Sequence, residues 1–410
     1  MNTQQAGLKR ALSLPLITFY GLGTILGAGI YVLVGEVAGV AGMYAPLAFL
    51  VAAMVAALTA FTYAELAARY PFSGAEAVYV QEGLGRRELS TLVGLLIVFS
   101  GLVSSATLVN GFLGYLRVFV QAPETLITVV VVLVLFGLAL WGILESVLAA
   151  ATATVIEIAG LVIIIAVSGN SYATLPQRIG ELMPPFTLDA WWSVAVGAFL
   201  AFYAFIGFED MVNVSEEVKD AQRTMPRAIV LALTCSTLLY LLVVTAAVLT
   251  LPVSALSQSE APLARVFEHA TGAAPTVIAL VSLFAVINGA LIQIIMSSRM
   301  LYGMAKAGWL LPKLGYVSER THTPVVATAV VAAGVLVFAL WLPLVTLAKL
   351  TSFAILLVFV LVNLSLIRIR KVQPAPPRVR VYPVWVPYGG LLLAVALLAL
   401  QMLSALGVSG

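Results

Sequence analysis

Apolar runs long enough to cross a lipid bilayer recur along the whole of this 410-residue chain. A membrane-spanning helix needs about 20 predominantly apolar residues. Hydrophobic residues make up 62% of the sequence and charged residues only 10%, whereas soluble domains carry about 25% charged residues. A soluble domain with a single anchor is therefore excluded. The pattern predicts an all-α polytopic membrane protein with one transmembrane domain over residues 1–410.

Eleven segments fit this pattern. They lie near residues 13–40, 43–67, 90–119, 125–142, 145–168, 191–212, 227–251, 275–305, 325–342, 346–367 and 387–408. When these segments alternate across the bilayer, most of the 21 Lys and Arg residues fall in the linkers on one side. The positive-inside rule then predicts a cytoplasmic N-terminus, and eleven crossings predict a C-terminus outside. We expect a multi-pass protein of a cell (inner or plasma) membrane.

Four glycines interrupt the first segment, within the nine residues Gly21–Gly29 (GLGTILGAG). Each glycine in a helix interior costs about 1 kcal/mol relative to alanine, so four together indicate a break in the helix. In a bilayer, a break is tolerated only where the freed backbone groups find partners or line a cavity. We therefore predict a binding site built from backbone here.

A second break is predicted in the sixth segment, where Gly207 is followed directly by Phe208 and two carboxylates, Glu209 and Asp210. Five segments separate the two breaks. Breaks at matching places in two five-segment halves indicate an inverted-repeat transporter with its site near the bilayer midplane. The predicted organisation is a first repeat over about 13–168, a second over about 191–367, and an additional helix over about 387–408.

Several stretches together resemble the amino acid–polyamine–organocation superfamily of amino acid permeases. They are Gly21–Tyr31, Ala64–Gly74, Ala204–Glu209, Glu216–Ile229 and Ser298–Ala305. The resemblance implies a leucine-transporter-like 5+5 inverted repeat with helices 1 and 6 broken. Many relatives have a twelfth segment that this sequence lacks, so a dimer contact through the last helices is in doubt, and we expect a monomer or a weak homodimer.

A broken helix suits a zwitterionic amino acid, because one half-helix offers free N–H groups and the other offers free carbonyl groups. We expect the backbone N–H groups of Gly27, Ala28 and Gly29 to bind the substrate carboxylate. The carbonyl groups expected to accept from the ammonium are those of Ile25, Tyr203 and Ile206. The resemblance implies the same arrangement at these positions.

Side chains near the breaks are candidates for lining the site. The resemblance implies that an aromatic residue near the second break closes over the substrate. We favour Tyr203 for this role, with Phe202 and Phe205 as alternates and ordinary packing as the other interpretation of each. Thr24 is a polar side chain that can also face the cavity. No Asp or Glu stands obviously beside the side-chain end of the site, which favours a neutral substrate.

Ionisable residues inside apolar segments are functional candidates. Glu157 lies midway along the fifth segment, where many proton-coupled relatives carry a lysine, so this sequence departs from their pattern. Three roles are open for Glu157: a proton carrier, a Na+ ligand together with Ser297 and Ser298, or a carboxyl bonded to a neighbouring helix. We favour proton coupling, with Na+ second. The family counterpart of Glu209 is implicated in proton sensing in some members, and capping of the restarting helix is its alternative role.

These observations predict a secondary active permease that takes up a neutral amino acid with H+ by alternating access. The alternatives are an amino acid exchanger, a cationic amino acid or polyamine carrier, and a Na+-coupled symporter. An enzyme is not expected, because the chain has two distant histidines, His269 and His322, one cysteine, and no H-E-x-x-H or G-x-S-x-G motif. We expect no cofactor, no bound metal and no nucleic-acid partner. The expected partners are the amino acid and the lipid bilayer.

Overall fold

The computed structural model describes residues 12–27, 29–72, 74–141, 144–318, 323–374 and 376–405. Within these ranges the regular structure is helical, with one isolated parallel bridge between Leu12 and Val218. The α-helices are α1 (Leu14–Leu26), α2 (Ile30–Ala41), α3 (Ala45–Arg69), α4 (Ala75–Leu84), α5 (Arg87–Leu116), α6 (Glu124–Trp141), α7 (Leu144–Val167), α8 (Gly169–Ala173), α9 (Leu175–Arg178), α10 (Leu188–Phe202), α11 (Ala221–Thr250), α12 (Val253–Ser257), α13 (Pro262–Thr271), α14 (Thr276–Lys306), α15 (Val325–Trp341), α16 (Leu344–Val372) and α17 (Trp385–Ala405). Short 3-10 helices cover Gly42–Tyr44, Ile179–Leu182, Tyr203–Phe205, Glu209–Glu217 and Pro312–Gly315.

Seven helical stretches in the described residues are long and apolar enough to cross a membrane, and four further apolar helices are shorter. The predicted all-α polytopic fold is confirmed. The count of eleven crossings stays a prediction. The predicted bounds of the two repeats and of the additional helix likewise stay predictions.

The first predicted break is confirmed. Helix α1 ends at Leu26 and α2 begins at Ile30, so the chain leaves the helical path between them. Ala28 lies outside the described residues. Two short helices replace the one long helix that the apolar run alone would favour.

The second break begins earlier than the sequence suggested. Helix α10 ends at Phe202, one 3-10 turn follows, and Ile206 has an extended backbone with ψ 136°. Gly207 then takes a φ of +129°, a conformation that side-chain-bearing residues rarely adopt. The chain continues from Glu209 as a 3-10 helix rather than as the α-helix expected for the rest of the segment.

Helices five segments apart pack in matching ways. Helix α1 packs on α11, and α10 packs on α3; likewise α5 packs on α16, and α14 packs on α7. The central pairs are α3 with α11 and α5 with α14, each joining a segment to its counterpart. This paired packing is the arrangement expected when two five-segment halves form one bundle.

The two breaks touch each other through backbone. A Cβ placed on Gly29 would collide with the Cα of Ala204, and a Cβ on Gly207 would lie 2.6 Å from the carbonyl oxygen of Thr24. Both glycines are therefore needed for the close approach of these two backbone segments. The contact places the free ends of both interrupted helices in one buried region.

One end of the bundle is held by a buried ion cluster. Glu65, at 0% exposure near the end of α3, accepts hydrogen bonds from Arg69 at 3.0 Å and from Arg370 of α16 at 3.1 Å. The backbone N–H of Tyr382, before α17, also donates to Glu65 at 3.2 Å. A single carboxylate thus joins α3, α16 and the segment that leads to α17.

At the end of the bundle opposite to the Glu65 cluster, the α12–α13 connection covers α2 and α5. The carbonyl oxygen of Leu256 would lie 2.5 Å from a Cβ on Gly35 of α2, so this connection rests directly on the helix backbone. Arg117, at the end of α5, forms ion pairs with Glu260 of the connection and with Glu124 of α6. The connection therefore packs against both α2 and the end of α5.

Replacing Glu65 by glutamine tests the ion cluster. We expect Glu65→Gln to lose about 3–5 kcal/mol of unfolding free energy, because Arg69 and Arg370 would remain mostly buried without a carboxylate. Glu181→Gln is the matched control, since it removes only the exposed pair with Arg178 and should cost less than about 1 kcal/mol. Thermal unfolding of the purified proteins in detergent measures both, and equal midpoints for the two variants would contradict the assignment.

Replacing Gly207 by alanine tests the contact between the breaks. We expect Gly207→Ala to lower the unfolding midpoint and to abolish transport, because the new Cβ meets the Thr24 backbone and the φ of +129° is strained. Gly303→Ala is the matched control: Gly303 lies in α14 with open space around it, so alanine should be neutral or stabilise by up to about 1 kcal/mol. A Gly207→Ala protein that unfolds at the wild-type temperature would refute the contact.

Candidate functional site

The two breaks are joined by side-chain hydrogen bonds as well as by backbone contact. The Thr24 hydroxyl lies 2.9 Å from the Gly21 carbonyl oxygen and 3.0 Å from that of Gly207. Thr24 was predicted to face the cavity, but it is only 2% exposed and it links α1 to the second break. Its hydroxyl is therefore engaged with backbone in this conformation.

Tyr240 of α11 contacts both breaks and was missed by the sequence reasoning. Its hydroxyl lies 2.7 Å from the Ile25 carbonyl oxygen and 2.9 Å from the Ala204 carbonyl oxygen. The one available signal is a tyrosine in the middle of an apolar run, since a buried hydroxyl needs a partner. The sequence could not say which backbone groups it would meet.

The sequence predicted three carbonyl groups that would bind the substrate ammonium, and only some of them lie where the two breaks meet. The Ile25 carbonyl lies at the break as expected, with Ala204 as its counterpart in the second break. The Tyr203 carbonyl instead accepts from the Ile206 N–H at 3.2 Å, which closes the 3-10 turn. Ile206 itself is 3% exposed and is the point at which the backbone becomes extended.

The N–H groups predicted for the substrate carboxylate also need one correction. The Gly27 N–H donates to the Gly23 carbonyl at 3.2 Å, so it completes α1 and is not free for a ligand. Gly29 precedes the first residue of α2, and the first N–H groups of a helix have no partner within the helix. The donor end at the break is therefore the start of α2.

The three aromatic candidates at the second break are all fully buried. The Tyr203 hydroxyl lies 3.0 Å from the Ser104 hydroxyl of α5 and donates to the Ser104 carbonyl at 3.2 Å. The Phe205 ring packs edge-on against Tyr240, and Phe202 packs against Phe359 of α16. Tyr203 is thus tied to α5, while Phe205 belongs to the surroundings of Tyr240. Which of them acts as the gate stays a prediction.

Glu157 of α7 lies at the first break. Its Oε1 accepts from the Asn288 amide of α14 at 3.2 Å and lies 3.5 Å from the position of a Cβ on Gly27. Its other carboxyl oxygen has no hydrogen-bond partner within the described part of the chain. The Glu157 carbonyl accepts from the Tyr31 hydroxyl of α2 at 2.6 Å. The carboxyl therefore lies between the end of α1 and α14 with one oxygen available, while the backbone of Glu157 is tied to α2.

The predicted grouping of Ser297 and Ser298 with Glu157 is not present. Ser298 donates to the Ile294 carbonyl of its own helix at 2.6 Å, and the Ser297 hydroxyl packs against Gly101 of α5. Both serines lie nine or ten residues from Asn288 along α14, which is about 14 Å at 1.5 Å per residue. The sequence showed that all these residues are intramembrane, but not at which depth each one lies.

Two neighbouring carboxyl groups in the second break have separate partners. Glu209 accepts from the Gly207 N–H at 2.9 Å, so its carboxyl binds the backbone of the second break, and its role in proton sensing stays a prediction. Asp210 accepts from the Gln293 amide of α14 at 2.7 Å and is only 5% exposed, so it is not solvated. In α4, which is too short to span, burial raises the pKa of Glu76 to about 8, and the nearby Asp210 adds to the rise. This side of the site is therefore rich in buried acid.

The described residues contain no group of three or more His, Cys, Asp and Glu side chains placed to hold a metal ion. Every described residue predicted to line the site is buried. The site therefore consists of two helix ends, the hydroxyl of Tyr240 and the carboxyl of Glu157, all of them buried.

Comparisons with known proteins bear on the family of this chain. The family model described as amino acid permease matches residues 12–408. The mitochondrial cationic amino acid transporter 3 of Arabidopsis thaliana is 28% identical over 391 residues, which cover 90% of this chain and 63% of that protein. The human cationic amino acid transporter 4 is 28% identical over 400 residues, 92% of this chain and 62% of that protein. The chain thus spans less than two thirds of the length of these relatives.

A bacterial relative is matched over more of its length. The branched-chain amino acid permease BcaP of Bacillus subtilis is 27% identical over 398 residues, which cover 91% of this chain and 84% of that protein. The family match extends over nearly the whole chain and includes both interrupted helices. The chain therefore belongs to the amino acid permease family, within the amino acid–polyamine–organocation superfamily.

Proposed function

We propose that this chain is a secondary active permease that carries a neutral amino acid together with a proton, by alternating access around the two broken helices. The observation that carries the proposal is the position of Glu157, whose carboxyl lies beside the first break with one oxygen unpartnered by the described residues. Family membership supports amino acid transport in general. Coupling to a proton rests on Glu157.

The helix ends at the breaks have the polarity that a zwitterion needs. The start of α2 offers backbone N–H groups and the positive end of a helix dipole, which suit a carboxylate. The Ile25 and Ala204 carbonyl oxygens, close enough to share the Tyr240 hydroxyl, suit an ammonium. These backbone groups bind the part that all amino acids share, so they do not select a side chain.

An ionised Glu157 would oppose the substrate carboxylate at the same break. Even at about 8 Å and an effective dielectric constant of about 20, two like charges repel by about 2 kcal/mol, or about thirtyfold in affinity. A proton on Glu157 removes this repulsion. Substrate and proton then bind best together, and this mutual effect on affinity is the thermodynamic basis of symport.

A cationic substrate is the second candidate. Two relatives are named cationic amino acid transporters, and the free oxygen of Glu157 offers a partner for a substrate cation. In that case Glu157 would stay ionised and would select the side chain. We favour the neutral substrate, because the Glu157 carboxyl lies beside Gly27 at the first break, where the substrate carboxylate rather than its side chain is expected.

The membrane orientation and assembly are part of the same proposal. The excess of Lys and Arg on one side supports a cytoplasmic N-terminal end in a cell membrane. It also assigns the Glu65 cluster to the cytoplasmic end of the bundle. We propose a monomer or a weak homodimer as the working unit.

Uptake into proteoliposomes tests the function. Radiolabelled neutral, cationic and acidic amino acids and a polyamine are offered with an imposed pH gradient, with a Na+ gradient, or with neither. We expect a neutral amino acid to accumulate only when the outside is more acidic. Accumulation driven by Na+ would refute proton coupling, exchange without net uptake would indicate an antiporter, and preference for lysine or arginine would favour the second candidate.

Glu157→Gln separates coupling from binding. With one pH unit across the membrane, one proton per substrate supports about a tenfold concentration ratio, and we expect the variant to reach only a ratio of about one. Exchange of internal for external substrate should persist, because glutamine is neutral like the protonated acid. Glu36→Gln is the matched control, since Glu36 is a half-buried carboxyl of α2 away from the break. A Glu157→Gln protein that still accumulates substrate tenfold would exclude this residue from coupling.

A further inference from the structure

The hydroxyl of Tyr240 lies between one backbone carbonyl group of each break, where the substrate ammonium is expected, and its chemistry differs from that of an ammonium. It lies 2.7 Å from the Ile25 carbonyl oxygen and 2.9 Å from that of Ala204. We propose that Tyr240 replaces the substrate ammonium at these two carbonyl groups while the carrier returns without substrate. Tyr240 is then a positioning residue for the return step, and this inference rests on the proposed function.

The count of donors supports a temporary role. A phenol has one O–H, so it donates to only one of the two carbonyl groups at a time, and the other is left facing the phenol oxygen. An ammonium has three N–H donors and satisfies both carbonyl groups at once. The substrate therefore makes the better bridge, and the tyrosine makes one that is sufficient yet displaceable.

The surroundings of Tyr240 explain why the protein must supply this donor itself. Tyr240 is 0% exposed, and its ring is packed edge-on between those of Phe205 at 5.2 Å and Phe49 at 6.0 Å. Two carbonyl groups in such an apolar region would otherwise lose their hydrogen bonds, which is costly for buried polar groups. In this conformation the packed ring places the hydroxyl at the junction of α1, α11 and the second break.

The placement has a consequence for the transport cycle. In net uptake, the carrier switches from outward-facing to inward-facing with substrate and returns without it. In exchange, it carries substrate in both switches. A hydroxyl that bonds to both breaks only in the unloaded carrier assists only the substrate-free change of conformation. Its removal should therefore slow net uptake more than exchange.

Tyr240→Phe removes the hydroxyl and keeps the ring. In proteoliposomes with the same pH gradient, we expect the ratio of the net-uptake rate to the exchange rate to fall about fivefold, as the loss of one neutral hydrogen bond predicts. The final accumulation ratio should stay at the wild-type value, because proton coupling depends on Glu157 and not on Tyr240. A fall in both rates by the same factor would overturn the inference, since a purely structural role or a role in ammonium binding predicts that result.

Tyr115→Phe is the matched control. Tyr115 is also fully buried and donates to a backbone carbonyl, that of Tyr31 in the first turn of α2 at 2.5 Å, rather than to the Ile25 or Ala204 carbonyl that Tyr240 contacts. The net-to-exchange ratio of Tyr115→Phe should equal that of the wild type, and a fall equal to that of Tyr240→Phe would also overturn the inference. A wild-type protein that transports no amino acid in either assay would refute the proposed function itself. If the wild type is active in both assays, the result for Tyr240→Phe tests the inference alone and not the proposed function.

Discussion

The contact between the two helix breaks is the constraint on which the rest of the structure depends. Gly29 meets Ala204, and Gly207 meets Thr24, with no room for another side-chain carbon at either glycine. Breaking two helices frees polar backbone groups that lipid cannot satisfy, so the groups must face each other within the bundle. The paired packing of α1 on α11 and α10 on α3 surrounds this polar junction with apolar helices.

The sequence predicted those parts of the structure that leave a local mark. Apolar runs indicated the helices, and the glycines at 21–29 indicated the first break, because glycine is unfavourable in a continuous helix. Gly207 indicated the second break, but helix α10 ends at Phe202 and leaves the helical path before it reaches the glycine. The glycine marks where backbone meets backbone, and the end of the helix is decided by the turn before that contact.

Partners between distant helices left no comparable mark. Glu157 was recognised as a buried acid, yet its distance from Ser297 and Ser298 depends on the relative depth of α7 and α14, which the composition of the two segments does not determine. The bonds from Tyr240 to Ile25 and Ala204 span 215 and 36 residues of sequence. Residue type alone predicts that such groups need partners, and only the packing of the helices decides which partners they find.

The polar groups of the bundle differ in how many partners they have, and this difference suits a moving protein. Glu65 is fully engaged by two arginines and a backbone N–H, an arrangement that resists separation of α3 and α16. The Tyr240 hydroxyl has one proton for two acceptors, and Glu157 has one oxygen without a partner in the described residues. A group that is incompletely satisfied gains when a ligand or proton arrives, so binding can favour another conformation. Rigid polar contacts therefore lie at the end of the bundle, and exchangeable ones lie at the breaks.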